Sequence, residues 1–235
     1  MIEVIFENAH YLAVKKPAGF LTVPSRFQEK DERPCLGLEL QKLKGRLWPV
    51  HRLDFEVMGL VLFARNEKAH QLANTWFEQS LVHKTYYAVT GRQDFSHWPK
   101  NIEHPTEVID SQDARLFQWE SRIEKGKRRS FASPRGKKSI TQAQILKFEN
   151  NKLFWQLHPL TGRSHQLRFE LSQRGFPILG DRLYGGSPWG TANEIALCSV
   201  EIDFSKVNEK ERNGLPMQLS LPKKEIFFQK FGDMK

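Results

Sequence analysis

Two short, mostly apolar stretches stand near the start of the chain. Residues 2–6 and 11–15 predict two strands around the turn Glu7-Asn8-Ala9-His10. Lys16-Pro17-Ala18-Gly19 breaks regular structure, and residues 24–35 are polar and loop-like. Leu36, Leu40 and Leu43 recur at helical spacing, predicting a short amphipathic helix closed by Gly45. A loop over 48–59 leads into an apolar run at 60–64 that reads as a buried strand. Asn66 then caps a helix in which Ala69, Leu72, Ala73, Trp76 and Phe77 form one apolar stripe.

Further on, 84–89 predicts a strand, and 92–115 is irregular and polar. Residues 140–148 and 152–157 read as a hairpin across Glu149-Asn150-Asn151. Leu167 and Leu171 mark a helix ending near Gly175. Residues 195–202 read as a last long strand, and the tail from Lys206 is charged and weakly structured. No internal repeat, low-complexity tract or interdomain linker interrupts the chain. Interleaved hairpins and helices predict one α+β domain spanning 1–235.

Composition narrows the class. With 235 residues, 39% hydrophobic and 11% aromatic, the chain has apolar surface enough to offset the entropy of ordering. No apolar run approaches the roughly 20 residues that cross a bilayer. The start, Met1-Ile2-Glu3-Val4-Ile5-Phe6-Glu7, lacks the basic flank of a secretory signal. Cys35 and Cys198 have no metal-like or redox spacing and read as free thiols of a reducing cytosol. These features set the expectation of a soluble, cytoplasmic protein.

The net charge is +9, and its distribution says more than its size. Residues 122–138, RIEKGKRRSFASPRGKK, hold eight Lys/Arg and one Glu, a local +7. Such a loop could clamp phosphates through Lys127, Arg128 and Arg129, with Phe131 free to stack on a base. A solvated hairpin explains the same composition equally well.

Candidate chemistry falls in four clusters. His51-Arg52-Leu53-Asp54 precedes a buried strand, where a carboxylate is well placed as nucleophile or base. A backbone-capping turn is the alternative for Asp54, and metal binding by His51 and Asp54 finds no further ligands in a matching pattern. In Lys84-Thr85-Tyr86-Tyr87, strand alternation sends the two tyrosines to opposite faces, and packing accounts for either one. His158-Pro159-Leu160-Thr161-Gly162-Arg163-Ser164-His165-Gln166-Leu167-Arg168 opens a helix with cations and no acid. That arrangement opposes the helix dipole, so it points to binding of an anion or a carboxylate. The Gly-rich run from Gly175 to Gly186 lacks phosphate-loop spacing and reads as structural.

Taken in order, these segments resemble the RluA family of RNA pseudouridine synthases. Tyr11 to Gly19 is similar to the family's "VNKPAG" segment, His51-Arg52-Leu53-Asp54 with Gly59 to Ala64 to its catalytic motif, and Lys84-Thr85-Tyr86 to its K-x-Y strand. Thr161 to Arg168 with Pro177-Ile178-Leu179-Gly180-Asp181 resembles its last motif. Pro24-Ser25-Arg26 is closest to the subgroup without an S4 domain, and the chain begins directly at the catalytic domain.

The resemblance implies a mixed, largely antiparallel sheet with flanking helices and a central RNA cleft, working without metal or cofactor. It implies Asp54 as catalytic aspartate, Tyr86 as active-site tyrosine and Arg163 as the arginine paired with that aspartate. Arg52 matches the arginine that fills the gap left by an extruded base. His51, His165, Gln166 and Arg168, with Lys127, Arg128 and Arg129, are then expected to bind the RNA. The partner is a stem-loop of ribosomal or transfer RNA, met by a monomer with no membrane or obligate protein partner.

Two departures from the family pattern stand out. Val57-Met58 replaces the usual Thr-Ser, removing hydroxyls that could orient the Asp54 loop, and Cys198-Ser199 stands where His-Ala is common. A non-catalytic RNA-binding or chaperone protein on the same fold is the competing reading. A hydrolase using Asp54 fits poorly because no second carboxylate accompanies it.

Overall fold

The computed structural model describes residues 2–25, 31–222 and 227–228. In chain order the elements are β1 (Glu3–Glu7), β2 (Tyr11–Lys16), α1 (Leu36–Lys44), β3 (Trp48–Pro49), β4 (Met58–Ala64), α2 (Glu67–Glu78) and β5 (His83–Thr90). There follow β6 (Phe117–Lys125), β7 (Ser130–Ala132), β8 (Lys137–Glu149), β9 (Lys152–Pro159), α3 (Gln166–Ser172), β10 (Leu197–Asp203) and β11 (Gln218–Ser220). They form two compact units, Met1–Lys84 with Cys198–Lys224, and Thr85–Leu197 with Glu225–Lys235. The fold class is α+β with a mixed, largely antiparallel sheet, as the sequence predicts. Among the described residues no helix is long and apolar enough to cross a membrane.

In the first unit β2 pairs antiparallel with both β1 and β4, β3 lies antiparallel on β4, and β10 runs parallel to β4. Tyr11 to Val14 and Leu60 to Ala64 are almost wholly buried, so both strands are covered on two faces. Asn66 accepts a hydrogen bond from the Ala69 amide at 2.9 Å, the predicted cap of α2. Ala69, Ala73 and Trp76 carry the buried stripe, with Leu72 and Phe77 at its margins. Trp76 packs against Tyr11 and Phe204. In α1 only Leu36 and Leu40 of the predicted stripe are buried; Leu43 is 76% exposed, because the helix covers its neighbours with one turn and ends at Gly45.

The second unit is an antiparallel sheet in which β9 lies between β5 and β8, and β6 between β8 and β7. Asn150 and Asn151, with φ of 50° and 58°, make the tight turn predicted between β8 and β9. Phe117, Trp119, Trp155 and Phe176 fill the interior with ring centroids 5.0 to 6.4 Å apart.

Two expectations need correction here. Residues 122–138 are not a loop: they are mostly strand, in β6, β7 and the start of β8, joined by turns at Gly126 and Gly136. Phe117, Trp119 and Ile123 point inward with exposed Gln118, Glu120 and Arg122 between them, a period of two that polar Ser121 interrupts in the sequence. The tail is also more ordered than predicted. After Lys206 the chain returns as β11, antiparallel to β10, with Leu215, Leu219 and Leu221 buried.

Candidate active site

The turn carrying Asp54 lies in the first unit and is held from three sides by main-chain bonds. Thr22 accepts from the Leu53 amide through its hydroxyl at 3.1 Å and donates to the Leu53 carbonyl at 2.9 Å. The Gly19 amide donates to the Phe55 carbonyl at 2.9 Å. Lys16, with no exposed surface, donates its ammonium to the carbonyls of Pro17, Phe20 and Phe55 at 3.0, 2.6 and 3.2 Å. Burial pulls Lys16 down to about 8, while the charges of Asp54 and Glu56 oppose that fall. The Val57 amide closes the turn onto the Asp54 carbonyl at 3.2 Å, and Val57 itself is buried. The turn is therefore closed by backbone, without the hydroxyls that Val57-Met58 lacks. Neither Lys16 nor Thr22 stood out as a site residue in the sequence; a lysine ending an apolar strand just before Pro17 was the available signal.

His51 and Arg52 part company. Arg52 is exposed, free of the packing that constrains its neighbours. His51 is partly buried, accepts from the Leu62 amide at Nε2 (3.2 Å) and stacks on Phe77 at 5.6 Å. Burial first, and the Lys84 charge second, push its imidazole down to about 3, so it stays neutral. These contacts make His51 a brace for the loop. Lys84 sits over the other part of the same arrangement, 5.7 Å from the Phe77 ring centroid, and burial lowers it to about 8.

Tyr86 and Tyr87 lie in the second unit on β5, opposite Leu157 and Gln156. Both are 8% exposed, and alternation turns them to opposite faces as predicted. Tyr87 stacks on Phe228 at 4.4 Å, which accounts for its face as packing.

The turn bearing Arg163 is organised by Gln166. Its Oε1 accepts from the Thr161 hydroxyl and the Arg163 amide, and its Nε2 donates to the Ile140 carbonyl and the Thr141 hydroxyl, all within 3.0 Å. Arg163 donates from Nε to the Lys138 carbonyl at 2.8 Å. His165 is left-handed, with φ 51°, and its Nδ1 lies 3.1 Å from the Tyr184 hydroxyl. Gln166 is 4% exposed, and all four of these bonds go to the turn and to β8.

Arg168 is the clearest correction. It is 2% exposed, and its guanidinium makes a two-pronged pair with Asp181 at 2.7 and 2.8 Å. The acid missing from the helix start comes from the Gly-rich connection, which is structural as predicted. The helix dipole argument fails here because tertiary structure supplies the compensating charge.

Lys127, Arg128 and Arg129 are all exposed and occupy the turn between β6 and β7, where the Gly126 amide bonds the Arg129 carbonyl. Phe131 beside them is 42% exposed. Arg26 lies outside the described residues. Among the described residues no cluster of His, Cys, Asp or Glu is grouped to hold a metal ion.

Comparison with known proteins meets this geometry from outside. The family model described as RNA pseudouridylate synthase matches residues 10–173, which include Asp54, Tyr86 and Arg163. The dual-specificity RNA pseudouridine synthase RluA of Vibrio vulnificus is 33% identical over 208 residues, covering 86% of this chain and 77% of its own. The ribosomal large subunit pseudouridine synthase C of Rickettsia typhi is 34% identical over 184 residues, 77% of this chain and 56% of its own. Among solved structures, human RNA Pseudouridylate Synthase Domain Containing 1 shares the fold with a TM-score of 0.69 at 19% identity, covering 94% of this chain and 83% of that one. The chain belongs to the RNA pseudouridylate synthase family and is an RNA pseudouridine synthase, an isomerase.

Proposed function

We propose that this synthase isomerises a uridine in a structured stem-loop of ribosomal or transfer RNA, with Asp54 as the reacting carboxylate. The supporting observation is the threefold clamp on the main chain of Leu53 and Phe55 by Lys16, Gly19 and Thr22, which fixes the backbone on both sides of Asp54 just before β4. The names of the relatives, one a dual-specificity RNA pseudouridine synthase and one a ribosomal large subunit pseudouridine synthase, support an RNA substrate and, for the second, a ribosomal one.

The reaction breaks the bond from C1′ to N1, turns the uracil and joins C5 to C1′, releasing the C5 proton while N1 regains one. It needs no net oxidation. The base must first leave its stack, at a cost of a few kcal/mol, which a loop with partly unstacked bases lowers. Asp54 attacks C1′ and leaves again as C5 bonds, or else the reaction passes through a glycal after loss of the C2′ proton. Tyr86 stacks on the uracil, or takes that proton in the glycal route. Arg163 pairs with the carboxylate, while Arg52 fills the vacated place in the RNA and Lys127, Arg128 and Arg129 hold phosphates.

Tritium release from RNA labelled at uridine C5 tests the assignment. Asp54→Asn should abolish release while RNA affinity stays within a few-fold; release persisting in that variant overturns it.

A further inference from the structure

The basic hairpin and the Arg163 turn are tied together by more than proximity in sequence. Ser130, the first residue of β7 and the one directly after the three exposed cations, is 2% exposed. Its hydroxyl donates to the Ser164 carbonyl at 2.7 Å, one residue from Arg163. Its amide donates to the Tyr184 hydroxyl at 2.8 Å, and that hydroxyl reaches His165 Nδ1 on the other side. Burial pushes the Tyr184 phenol up to about 12, so it remains protonated and keeps both contacts.

The second arm of the hairpin grips the same turn. Arg163 Nε bonds the Lys138 carbonyl, the Leu160 amide bonds the Ile140 carbonyl, and the Ile140 amide bonds the Thr161 hydroxyl. At the root, Ser121 of β6 and Ser139 of β8 donate to the fully buried Glu170 carboxylate of α3, which also takes Gln173 and Arg174. A fully satisfied buried polar network is rigid and geometrically specific. Both arms of the hairpin are therefore tied by hydrogen bonds to the Arg163 turn, and its root to α3. Nothing in the chemistry of Ser130 suggests contact with substrate, yet it stands between a phosphate-sized cluster of cations and the arginine of the site.

We propose that Ser130 and Tyr184 are positioning residues that transmit the grip of RNA phosphates on Lys127, Arg128 and Arg129 to the placement of Arg163. This deepens the proposed function and rests on its assignment of Arg163. An RNA backbone drawn onto the tip loads β7 at Ser130, and Ser130 sets the Ser164 carbonyl and hence the reach of the adjacent guanidinium. The hairpin then contributes to rate as well as affinity, in contrast to a simple electrostatic tether, whose effect ends once the RNA is bound.

Single-turnover rates at saturating RNA, together with RNA affinities, make the test. Ser130→Ala is expected to slow the bound complex about tenfold, as a small misplacement of a site group does, with affinity changed less than twofold. Tyr184→Phe removes the other half of the contact and should behave alike, providing a second reading if one variant fails to fold. In an Arg163→Lys background, Ser130→Ala should add nothing, since the group it positions is gone. Replacing Lys127, Arg128 and Arg129 by Ser should weaken binding and also lower the rate at saturation. Additive effects of Ser130→Ala and Arg163→Lys, or a tip variant with an unchanged saturated rate, overturn the coupling. A normal rate in Arg163→Lys alone overturns the site assignment and the coupling with it, so the two failures are distinguishable.

Discussion

Gly59 of β4 and Ser199 of β10 stand directly opposite each other in a parallel pairing so close that a Cβ at position 59 would collide with the Ser199 backbone. The neighbouring pair is Met58 with Cys198. Both departures from the family pattern thus meet across one register, a change on one strand facing a change on the other. The Ser199 hydroxyl is buried without a hydrogen-bond partner among the described residues, so its presence there is not explained by a bond it makes.

Gly59 also has φ +121°, a conformation that L side chains rarely adopt. Gly59→Ala combines backbone strain with collision and should cost about 3 kcal/mol or more. Urea unfolding measures the loss, and isomerisation should fall with it because the Asp54 turn leads directly into β4, five residues upstream of Gly59.

Lys16→Met removes one buried ammonium and leaves the Pro17, Phe20 and Phe55 carbonyls short of their donor. The expected cost is about 1–3 kcal/mol, since three charge-assisted bonds are lost while the Phe55 carbonyl keeps the Gly19 amide. The rate of the bound complex should drop more than RNA affinity does, because the clamp acts on the Asp54 turn. Equal losses in both would assign Lys16 to RNA binding instead.

Arg168→Met should destabilise by about 3–5 kcal/mol through the uncompensated Asp181 carboxylate. The double variant with Asp181→Leu should recover most of that stability. RNA affinity of the double variant should match the parent within twofold in filter binding. A large affinity loss would restore Arg168 as an RNA contact.

Charge at the hairpin tip predicts a salt signature. Each phosphate neutralised on single-stranded RNA contributes about 0.7 to the slope of log affinity against log salt. Replacing Lys127, Arg128 and Arg129 by Ser should therefore flatten that slope by about 2. An unchanged slope returns the tip to a merely solvated turn.

Acidity should weaken the fold through His51. Its ordinary value is 6.5 and its folded value about 3, so below pH 6.5 the unfolded chain takes up a proton that the folded chain refuses. Stability therefore falls as the pH drops from about 6.5 towards 3. His51→Gln should flatten this part of the profile in unfolding titrations, and a profile identical to the parent would show the imidazole charging in place.

Much of this architecture is legible in the sequence where local chemistry and tertiary structure agree. Asn66 caps α2 because its side chain reaches the amide three residues on, and Asn150-Asn151 turns because asparagine tolerates positive φ. The Asp54, Tyr86 and Arg163 motifs are readable as short runs. What stays hidden are charges whose partners lie far along the chain. Arg168 and Asp181 make a pair across 13 residues, and Lys16 spends its charge on carbonyls, which have no sequence signature at all. Strand β6 is masked for a different reason: Phe117, Trp119 and Ile123 point inward, but polar Ser121 interrupts the alternation of apolar positions.

Lys16 carries one consequence beyond its own turn. Its hydrogen bonds go to carbonyl oxygens, and every residue type presents the same carbonyl. The identities of Phe20 and Phe55 are therefore irrelevant to this lock, so substitution there leaves its bolt in place. A fastening of this kind is tolerant of drift at its contact points and intolerant at a single position, concentrating the vulnerability of the Asp54 turn in one lysine.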